Sequence, residues 1–406
     1  MLFIVYNKEF MLLRFVLIPI IISTFSFFVA AESTVSAQLA FEQRMFWQSP
    51  AQAKQSSSSS VIKFETEYTL TWDDGLQSVV FKPFFQLDNH ETRNTADIRE
   101  LLWVYNQDTW AMRAGIGKVF WGQTESFHLV DTINQTDMLG GVDGEDKLGQ
   151  PMLNLEISED WGSASFFVLP YFRAREYPDE AGRLRFTLPV HDEGNLYESG
   201  QKEQHIDIAT RWVYFGDSWE GAISYFDGTA REPSFIVSKE LGKSNLTAYY
   251  PQMQQVGLEA LYTSGSWLLK LEAVQRKMTI GTYNAFVSGF EYTEYGVFNT
   301  AYDVGWIVEY QYDDRDSQAL SIAQNDFMVG ARVALNDIAS SEFLVGYVQD
   351  LDASSSNYSF IEASSRLSDT WKLTAEARVF NAKGQVDVLH YFKQDDFVEV
   401  SLQYYF

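Results

Sequence analysis

The chain of 406 residues contains no cysteine, which excludes disulfide scaffolds, thiolate metal sites, Fe–S clusters and cysteine catalysis together. Cations are scarce: 30 Lys+Arg stand against 55 Asp+Glu, a formal net charge of −25. Neutralising phosphates needs a basic surface, so nucleic acid is disfavoured as a partner. The motifs G-x-S-x-G, H-E-x-x-H and G-x-x-x-x-G-K-S/T are absent, and with them the common hydrolase, metalloprotease and nucleotide-binding readings. Five histidines, His90, His128, His191, His205 and His390, are scattered along the chain. Four fall in or beside predicted loops, where solvated histidine is the simpler account than a hydrolase triad, so no enzyme and no cofactor are expected. Beyond residue 31 no apolar run is long enough for a membrane helix. Aromatic residues, by contrast, are abundant at 16% (Phe 31, Tyr 22, Trp 11). With a mean hydropathy of −0.19, the chain is neither a helical membrane bundle nor a disordered acidic tail.

The run from Met11 to Ala31 has one early cation, Arg14, an apolar core and a Val29-Ala30-Ala31 ending. It reads as a secretory signal peptide over residues 1–31. The alternative is a single transmembrane anchor, but no basic stop-transfer flank follows and Glu32-Ser33-Thr34 is polar. Residues 1–10 precede a second methionine, so Met11 is a second candidate start. Residues 32–406 are expected to form one domain of an exported protein.

From there the pattern is alternation over roughly ten residues, the dyad repeat of a sheet with one apolar and one polar face. Val398, Val400, Leu402, Tyr404 and Phe406 oppose Glu399, Ser401 and Gln403. Ile62, Phe64, Tyr68, Leu70 and Trp72 oppose Lys63, Glu65, Glu67, Thr69 and Thr71, and Trp371, Leu373, Ala375, Ala377 and Val379 oppose Lys372, Thr374, Glu376 and Arg378. A soluble sandwich and an outer-membrane barrel both produce this pattern, the first with the apolar face inward, the second with it toward lipid.

Aromatics decide between them. Trp72, Tyr105 with Trp110, Trp161, Tyr214 with Trp219, Tyr262 with Trp267, and Trp371 flank the short polar turns Asp73-Asp74-Gly75, Asn106-Gln107-Asp108, Ser158-Glu159-Asp160, Gly216-Asp217-Ser218, Ser264-Gly265-Ser266 and Ser368-Asp369. Repetition at six turns describes an interfacial girdle. Between them lie long connections: Gln48–Val61, Asn89–Ala96, Trp121–Gln150, Arg173–Gln204, Gly228–Pro251, Gln275–Thr282, Asp313–Gln324, Leu351–Ser356 and Asn381–Asp395. Short periplasmic turns and long extracellular loops are the barrel signature. With Gln38–Trp47 as first strand, its Leu39, Phe41, Met45 and Trp47 outward, the expected fold is all-β, a single transmembrane antiparallel β-barrel of about 18 strands. Sixteen is the count if a segment near Asn284–Tyr312 is misread. Pro83 and Pro170 fall inside predicted strands, a local penalty suited to a bulge.

Some stretches resemble a known family. Arg99-Glu100-Leu101-Leu102-Trp103, the run from Arg113 to Lys118, Trp121-Gly122 through Glu125, Asp131 through Asp137 with Ile133-Asn134, and Leu169-Pro170 are similar to poorly characterised, porin-like outer-membrane proteins of Gram-negative bacteria. Those proteins pair a Trp-Gly after a strand with an Ile-Asn-Pro-x-Asp loop; here Gln135 stands in the proline position. Leu271-Glu272-Ala273, Glu309-Tyr310, Asn325-Asp326, Gly330-Ala331-Arg332, Leu335-Asn336-Asp337 and Glu376-Ala377-Arg378 extend the resemblance. It implies a barrel more firmly than a substrate. A chain ending in an alternating aromatic strand closed by Phe406 also resembles substrates of the barrel assembly machinery. Outer-membrane lipid and lipopolysaccharide are the remaining expected partners, and a homo-oligomer is compatible with the reading.

Predicted inward charges are Lys63, Glu65, Glu67, Lys82, Glu100, Arg113, Glu259, Lys270, Glu272, Glu309, Arg332, Glu362, Arg366, Lys372, Glu376 and Arg378, both signs interleaved as cross-strand pairing favours. The acidic segment Asp131, Asp137, Asp143, Glu145, Asp146 lacks the order of an EF-hand loop and reads as a solvated loop before it reads as a cation site. By analogy with general porins, whose corresponding loop folds inward, the candidates for pore lining and constriction are Arg113, Glu125, Asp131, Asp137, Glu272, Glu309, Arg332, Glu362, Arg366, Glu376 and Arg378. The expected function is a passive channel for small solutes, neutral or cationic given the acidity, narrowed by the loop 121–150. The second reading is a conduit for hydrophobic molecules or lipids, toward which Phe120, Phe127 and Tyr177 point. A third is an outer-membrane enzyme or a structural adhesin.

Overall fold

A computed structural model describes residues 31–406 except 92, 142–143, 241–242, 320–323 and 384–387. The candidate signal peptide, but for its last residue, and Asp143 of the acidic segment therefore lie outside the described residues. The first strands are β1 (Glu32–Phe46), β2 (Ser58–Trp72), β3 (Gln77–Asp88), β4 (Thr95–Asn106), β5 (Trp110–Gly117), β6 (Gln150–Glu159) and β7 (Gly162–Leu169). Then come β8 (Val190–Tyr197), β9 (Asp207–Phe215), β10 (Trp219–Thr229), β11 (Ser234–Glu240), β12 (Lys243–Tyr250), β13 (Gln252–Ser264) and β14 (Trp267–Met278). The last are β15 (Gly281–Glu294), β16 (Asp303–Asp313), β17 (Asn325–Ala334), β18 (Glu342–Asp350), β19 (Asn357–Arg366), β20 (Trp371–Asn381) and β21 (Phe397–Tyr405).

Eighteen of these form one antiparallel sheet in which each strand pairs with the next in sequence, and β21 pairs with β1 to close it. Closure removes the free edges that an open sheet would present. The other three, β8, β11 and β12, make a small separate sheet within the connections that follow β7 and β10. Among the described residues no helix is long and apolar enough to cross a membrane; a barrel crosses with strands.

Register fixes which way each side chain points. Phe41 pairs with Ile62 and with Leu402, and Ile223 pairs with Leu258 and with Trp212. All of these face outward and are exposed, whereas Ser224, next to Ile223, is buried inside. At the short-turn end the outward aromatics touch across strands: Trp219 on Tyr262 at 4.5 Å, Trp267 on Tyr292 at 4.7 Å and Trp371 on Tyr404 at 4.8 Å between ring centroids. A closed barrel with an apolar outer band and an aromatic girdle is built to span a lipid bilayer, since closure gives every wall strand a paired neighbour on each side.

Three expectations need correction. The segment Gln275–Thr282 is no long loop, because β14 and β15 run on to Met278 and from Gly281 and leave a two-residue turn. Pro170 lies just past the end of β7, where its missing N–H costs no ladder bond. The inner wall is also far from uniformly polar. Met152, Phe167, Ala209, Phe226, Met253, Val274 and Val287 face inward on β6 to β15, and Phe46, Ile307, Met328, Val348, Phe360, Phe380 and Phe397 do so around the rest. Connections folded into the lumen cover them: Trp121, Leu129, Val130 and Ile133 on the first group, Leu184, Leu389 and Phe392 on the second.

Pro83 sits at the bulge that its presence suggested. The β3–β4 register pairs Lys82 with Glu100 and Pro83 with Ile98, so Arg99 is the extra residue. A bulge re-aims side chains, and here the guanidinium of Arg99 lies over the inward Phe84 ring, 4.3 Å from its centroid.

Candidate functional site

The candidate site is the lumen, and its shape is set by the connection between β5 and β6, residues 118–149. Asn134 ties its two ends together: its side-chain amide donates to the carbonyls of Gly117 at 2.9 Å and Leu148 at 2.8 Å, and its oxygen accepts from the Val119 N–H at 2.8 Å. The re-aimed Arg99 pairs with buried Asp137 and donates to the Lys147 carbonyl. Further along, Arg231 donates to the Ile133 carbonyl, and Arg276 to that of Leu129 at 2.7 Å.

Two wall carboxylates, both with no measurable exposure, fasten the part of the loop that crosses the lumen. Glu272 on β14 accepts from the N–H groups of Gln123 (2.7 Å), Thr124 (2.9 Å) and Val130 (3.3 Å) and from the Thr124 hydroxyl (2.7 Å). Glu309 on β16 accepts from the N–H groups of Glu125 (2.7 Å) and Ser126 (2.8 Å) and from the Ser126 hydroxyl. Burying a carboxylate is costly unless its lone pairs are met. Here the loop backbone meets them, so each carboxylate and the loop require one another. Gly122 permits the approach: its φ is +133°, and a Cβ there would stand 2.9 Å from a Glu272 oxygen and 2.8 Å from His128 Nδ1. The Glu125 side chain reaches on to Arg332 of β17 at 2.6 Å.

Charge on the inner edge of this loop is organised around His128. Its Nε2 lies 3.1 Å from Glu145 and its Nδ1 3.7 Å from Glu272, the latter too long for a hydrogen bond, so Glu272 acts on it through charge. Burial works against the imidazolium, but these two carboxylates outweigh it and push His128 up to about 9. Glu145 is held below the usual carboxylate range by His128, with Lys147 and, from the opposite wall, Arg378 contributing. Asp131 is buried against Lys147 at 3.3 Å, and burial pushes it up to about 6. The expected solvated acidic loop is thus corrected in part: Asp131 and Asp137 have buried, paired side chains, whereas Glu145 and Asp146 are exposed.

The remaining candidates divide. Glu362 and Glu376 share Arg378, Glu362 at 3.1 Å, on the wall facing the loop. Arg113 on β5 pairs with Glu156 at 2.7 Å, away from the latch. Arg366 is exposed at the short-turn rim, 5.8 Å over Tyr405, and does not meet the others. Of the loop aromatics that pointed to a hydrophobic conduit, Phe127 packs against the loop's apolar cluster and Tyr177 against Phe235, while Phe120 is exposed.

Sequence reasoning missed Arg99, His128, Arg183 and Asp395 as structural members of the site. For Arg99 the signal was Pro83 inside a strand. Arg183 donates to buried Asp395 at 2.6 Å and to the carbonyls of Ser56 and Gln394, joining three long connections over the other half of the lumen. The space left between the loop and β17 to β21 with β1 includes a cavity of ≈ 280 Å³, lined among others by Glu42, Arg332, Glu342, Glu362, Glu376 and Glu399.

No family model matches the sequence, and no curated protein matches it. Among solved structures, the chain is similar to in-vitro folded OmpT from Vibrio cholerae in its trimer form. Identity is 10%, the TM-score 0.48, with 93% of this chain and 100% of that one covered. It is similar also to a variant of the Rh. blastica porin, at 12% identity and a TM-score of 0.45, covering 92% and 100%. Likeness at this level carries no weight for function.

Proposed function

We propose that this barrel is an outer-membrane channel through which small hydrophilic solutes pass passively, with the connection 118–149 forming its constriction. The observation that carries the reading is the capture of the loop backbone at Gln123, Thr124, Glu125, Ser126 and Val130 by the buried wall carboxylates Glu272 and Glu309. Spanning from β14 to β16, and on to β17 through Glu125 and Arg332, the loop divides the lumen. Beside that bridge the remaining space is bordered by Glu145 on the loop and by Glu362, Glu376 and Arg378 on the wall. Charges of both signs along a narrow aqueous path order a dipolar or charged solute while a polar wall solvates it.

The second reading, a conduit for apolar molecules, draws on the apolar inner wall. Those side chains are covered by Trp121, Val130, Leu184 and Leu389, so the wall offers no continuous greasy track. Conductance of the purified protein in planar bilayers tests the choice. Discrete steps whose size rises when residues 123–130 are replaced by a short Gly/Ser linker are the expected result. A folded barrel that gives no steps, with or without that replacement, refutes the channel.

A further inference from the structure

The lipid-facing band is not level around the barrel. On β2 it runs from Trp72 at the short-turn rim to Ile62, ten positions along the strand, where exposed Ile62 pairs with exposed Leu87 of β3. On β14 and β15 it ends sooner. Gln275 and Asn284, eight positions from Trp267 and Tyr292 and on the same outer face, hydrogen-bond to each other at 3.0 Å. A strand rises about 3.3 Å per residue and tilts about 40° in a barrel, so ten positions cover about 25 Å, the height of a full apolar band. The last apolar residues before the two amides, Ala273 and Phe286, stand six positions from the rim, which covers about 15 Å and leaves this side about 10 Å short.

Apolar residues supply the difference at the other end. The short turns that follow β2, β4 and β6 are tight and carry Asp73-Asp74-Gly75, Asn106-Gln107-Asp108 and Ser158-Glu159-Asp160. Those after β15 and β17 are longer, residues 295–302 and 335–341, and they hold out apolar tips. Phe298 is 90% exposed and Ile338 wholly so, with Leu367 of the following turn at 61%. Phe298 reaches its place through a φ of +57°, a backbone conformation that bulky side chains rarely adopt. The turns brace one another: the Asn336 amide donates to the Ala301 carbonyl at 2.7 Å and to Asp303 at 2.8 Å, and the Arg366 N–H donates to the Ala339 carbonyl at 2.8 Å. The N–H groups of Gly296, Val297, Asn299 and Thr300 find acceptors within the connection or on Asp303. Internal pairing of this kind is what a backbone in contact with lipid needs.

We infer that these three turns are a lipid-docking surface, seated in the headgroup and upper acyl region of the periplasmic leaflet, and that the barrel lies tilted in the bilayer, its β15 to β20 side raised so that the turns are drawn into the lipid. Continuity names the occupant. Tyr292, Trp306 and Trp371 lie at the rim ends of the same strands, so the turns prolong a surface that already faces lipid. Asp337 and Asp369, exposed in the same turns, stay among the headgroups.

The chain has no cysteine, so a single introduced cysteine carries a nitroxide label without competition. The whole barrel, purified into vesicles of phosphatidylethanolamine and phosphatidylglycerol with no other protein, is labelled in turn at Phe298→Cys, Ile338→Cys, Asp74→Cys and Ile223→Cys. Paramagnetic resonance then compares collisions with apolar oxygen and with a water-soluble nickel chelate present on both faces. The oxygen-to-nickel ratio at Phe298→Cys and Ile338→Cys should stand several-fold above that at Asp74→Cys and approach that of Ile223→Cys in the wall. At the long-loop rim, Leu87→Cys should read as lipid and Gln275→Cys as water. Ratios at both turns no higher than at Asp74→Cys overturn the inference and leave the tips for a periplasmic protein to cover, and Gln275→Cys as deep as Leu87→Cys overturns the tilt. Heat-modified gel mobility checks that each labelled barrel is folded. Accessibility is read whether or not the barrel conducts, so this inference and the channel reading fail separately.

Discussion

Replacing Glu272 by Gln tests the latch with the fewest other changes, because the side chain keeps its size and one acceptor oxygen. In the parent, one carboxylate oxygen takes the Gln123 and Thr124 N–H groups and the Thr124 hydroxyl, and the other takes the Val130 N–H. The amide of glutamine keeps the first three as neutral bonds and sets an NH₂ group against the Val130 N–H. Bonds to a charged group contribute about 1.5–3 kcal/mol each and neutral ones about 0.5–1.5, so neutralising the first three alone weakens the latch by about 3 kcal/mol and the lost Val130 bond adds to that, roughly a hundredfold or more in its equilibrium. The assay is hydrogen exchange at the Gln123, Thr124 and Val130 amides in micelles, with barrel folding checked by heat-modified gel mobility. Exchange at these amides should quicken by two orders of magnitude or more while amides within the strands stay protected. In bilayers the same variant should show noisier open-channel current. Glu309→Gln should do the same at Glu125 and Ser126, whose N–H groups it holds. Exchange within threefold of the parent at all five amides would refute the claim that these carboxylates hold the loop in the lumen.

Raising the pH should also loosen the loop. His128, raised to about 9, contributes stability that is complete below its ordinary value near 6.5 and fades as pH rises through 9. Asp131, raised to about 6 by burial, adds a loss between its ordinary value near 3.8 and 6, so the protection factors of the loop amides, with the intrinsic rise of exchange with pH divided out, should fall from pH 4 to 10, and His128→Asn should flatten the upper part of that fall. A flat profile in the parent contradicts the assignment. Arg183→Ala leaves Asp395 buried without its partner, and breaking a buried pair costs about 3–5 kcal/mol; proteolysis should open the 382–396 connection, and a variant as resistant as the parent refutes its role as a clasp. Ile223→Lys puts a charge on the outer face at mid-strand, which should cost about 2–4 kcal/mol of stability in bilayers. Unfolding free energy in lipid vesicles reads this directly, and no loss would mean that Ile223 does not face acyl chains.

Alternation made the barrel legible because a membrane wall forces a period of two on the outer face, as at Phe41, Ile62 and Leu402, whatever the inner face does. Turn aromatics located one rim, and the parity of short and long connections located the loop. What sequence could not reveal was the inner face wherever it is covered. In β7 the run Phe166-Phe167-Val168-Leu169 is apolar on both sides, with Phe166 and Val168 exposed outward and Phe167 and Leu169 buried inward, so alternation vanishes there. That loss is itself a signal. An inner wall lined by water has no reason to be apolar, so a barrel strand without alternation requires something inside to cover it. The chain holds the complement in Trp121, Leu129, Val130 and Ile133, apolar residues of the long connection that also carries the acidic segment. Matching apolar strands to apolar loop positions would have placed this connection inside the lumen before any hydrogen bond was known. Glu272 and Glu309 needed the fold, because nothing local separates a wall carboxylate facing water from one holding five backbone amides between the two of them.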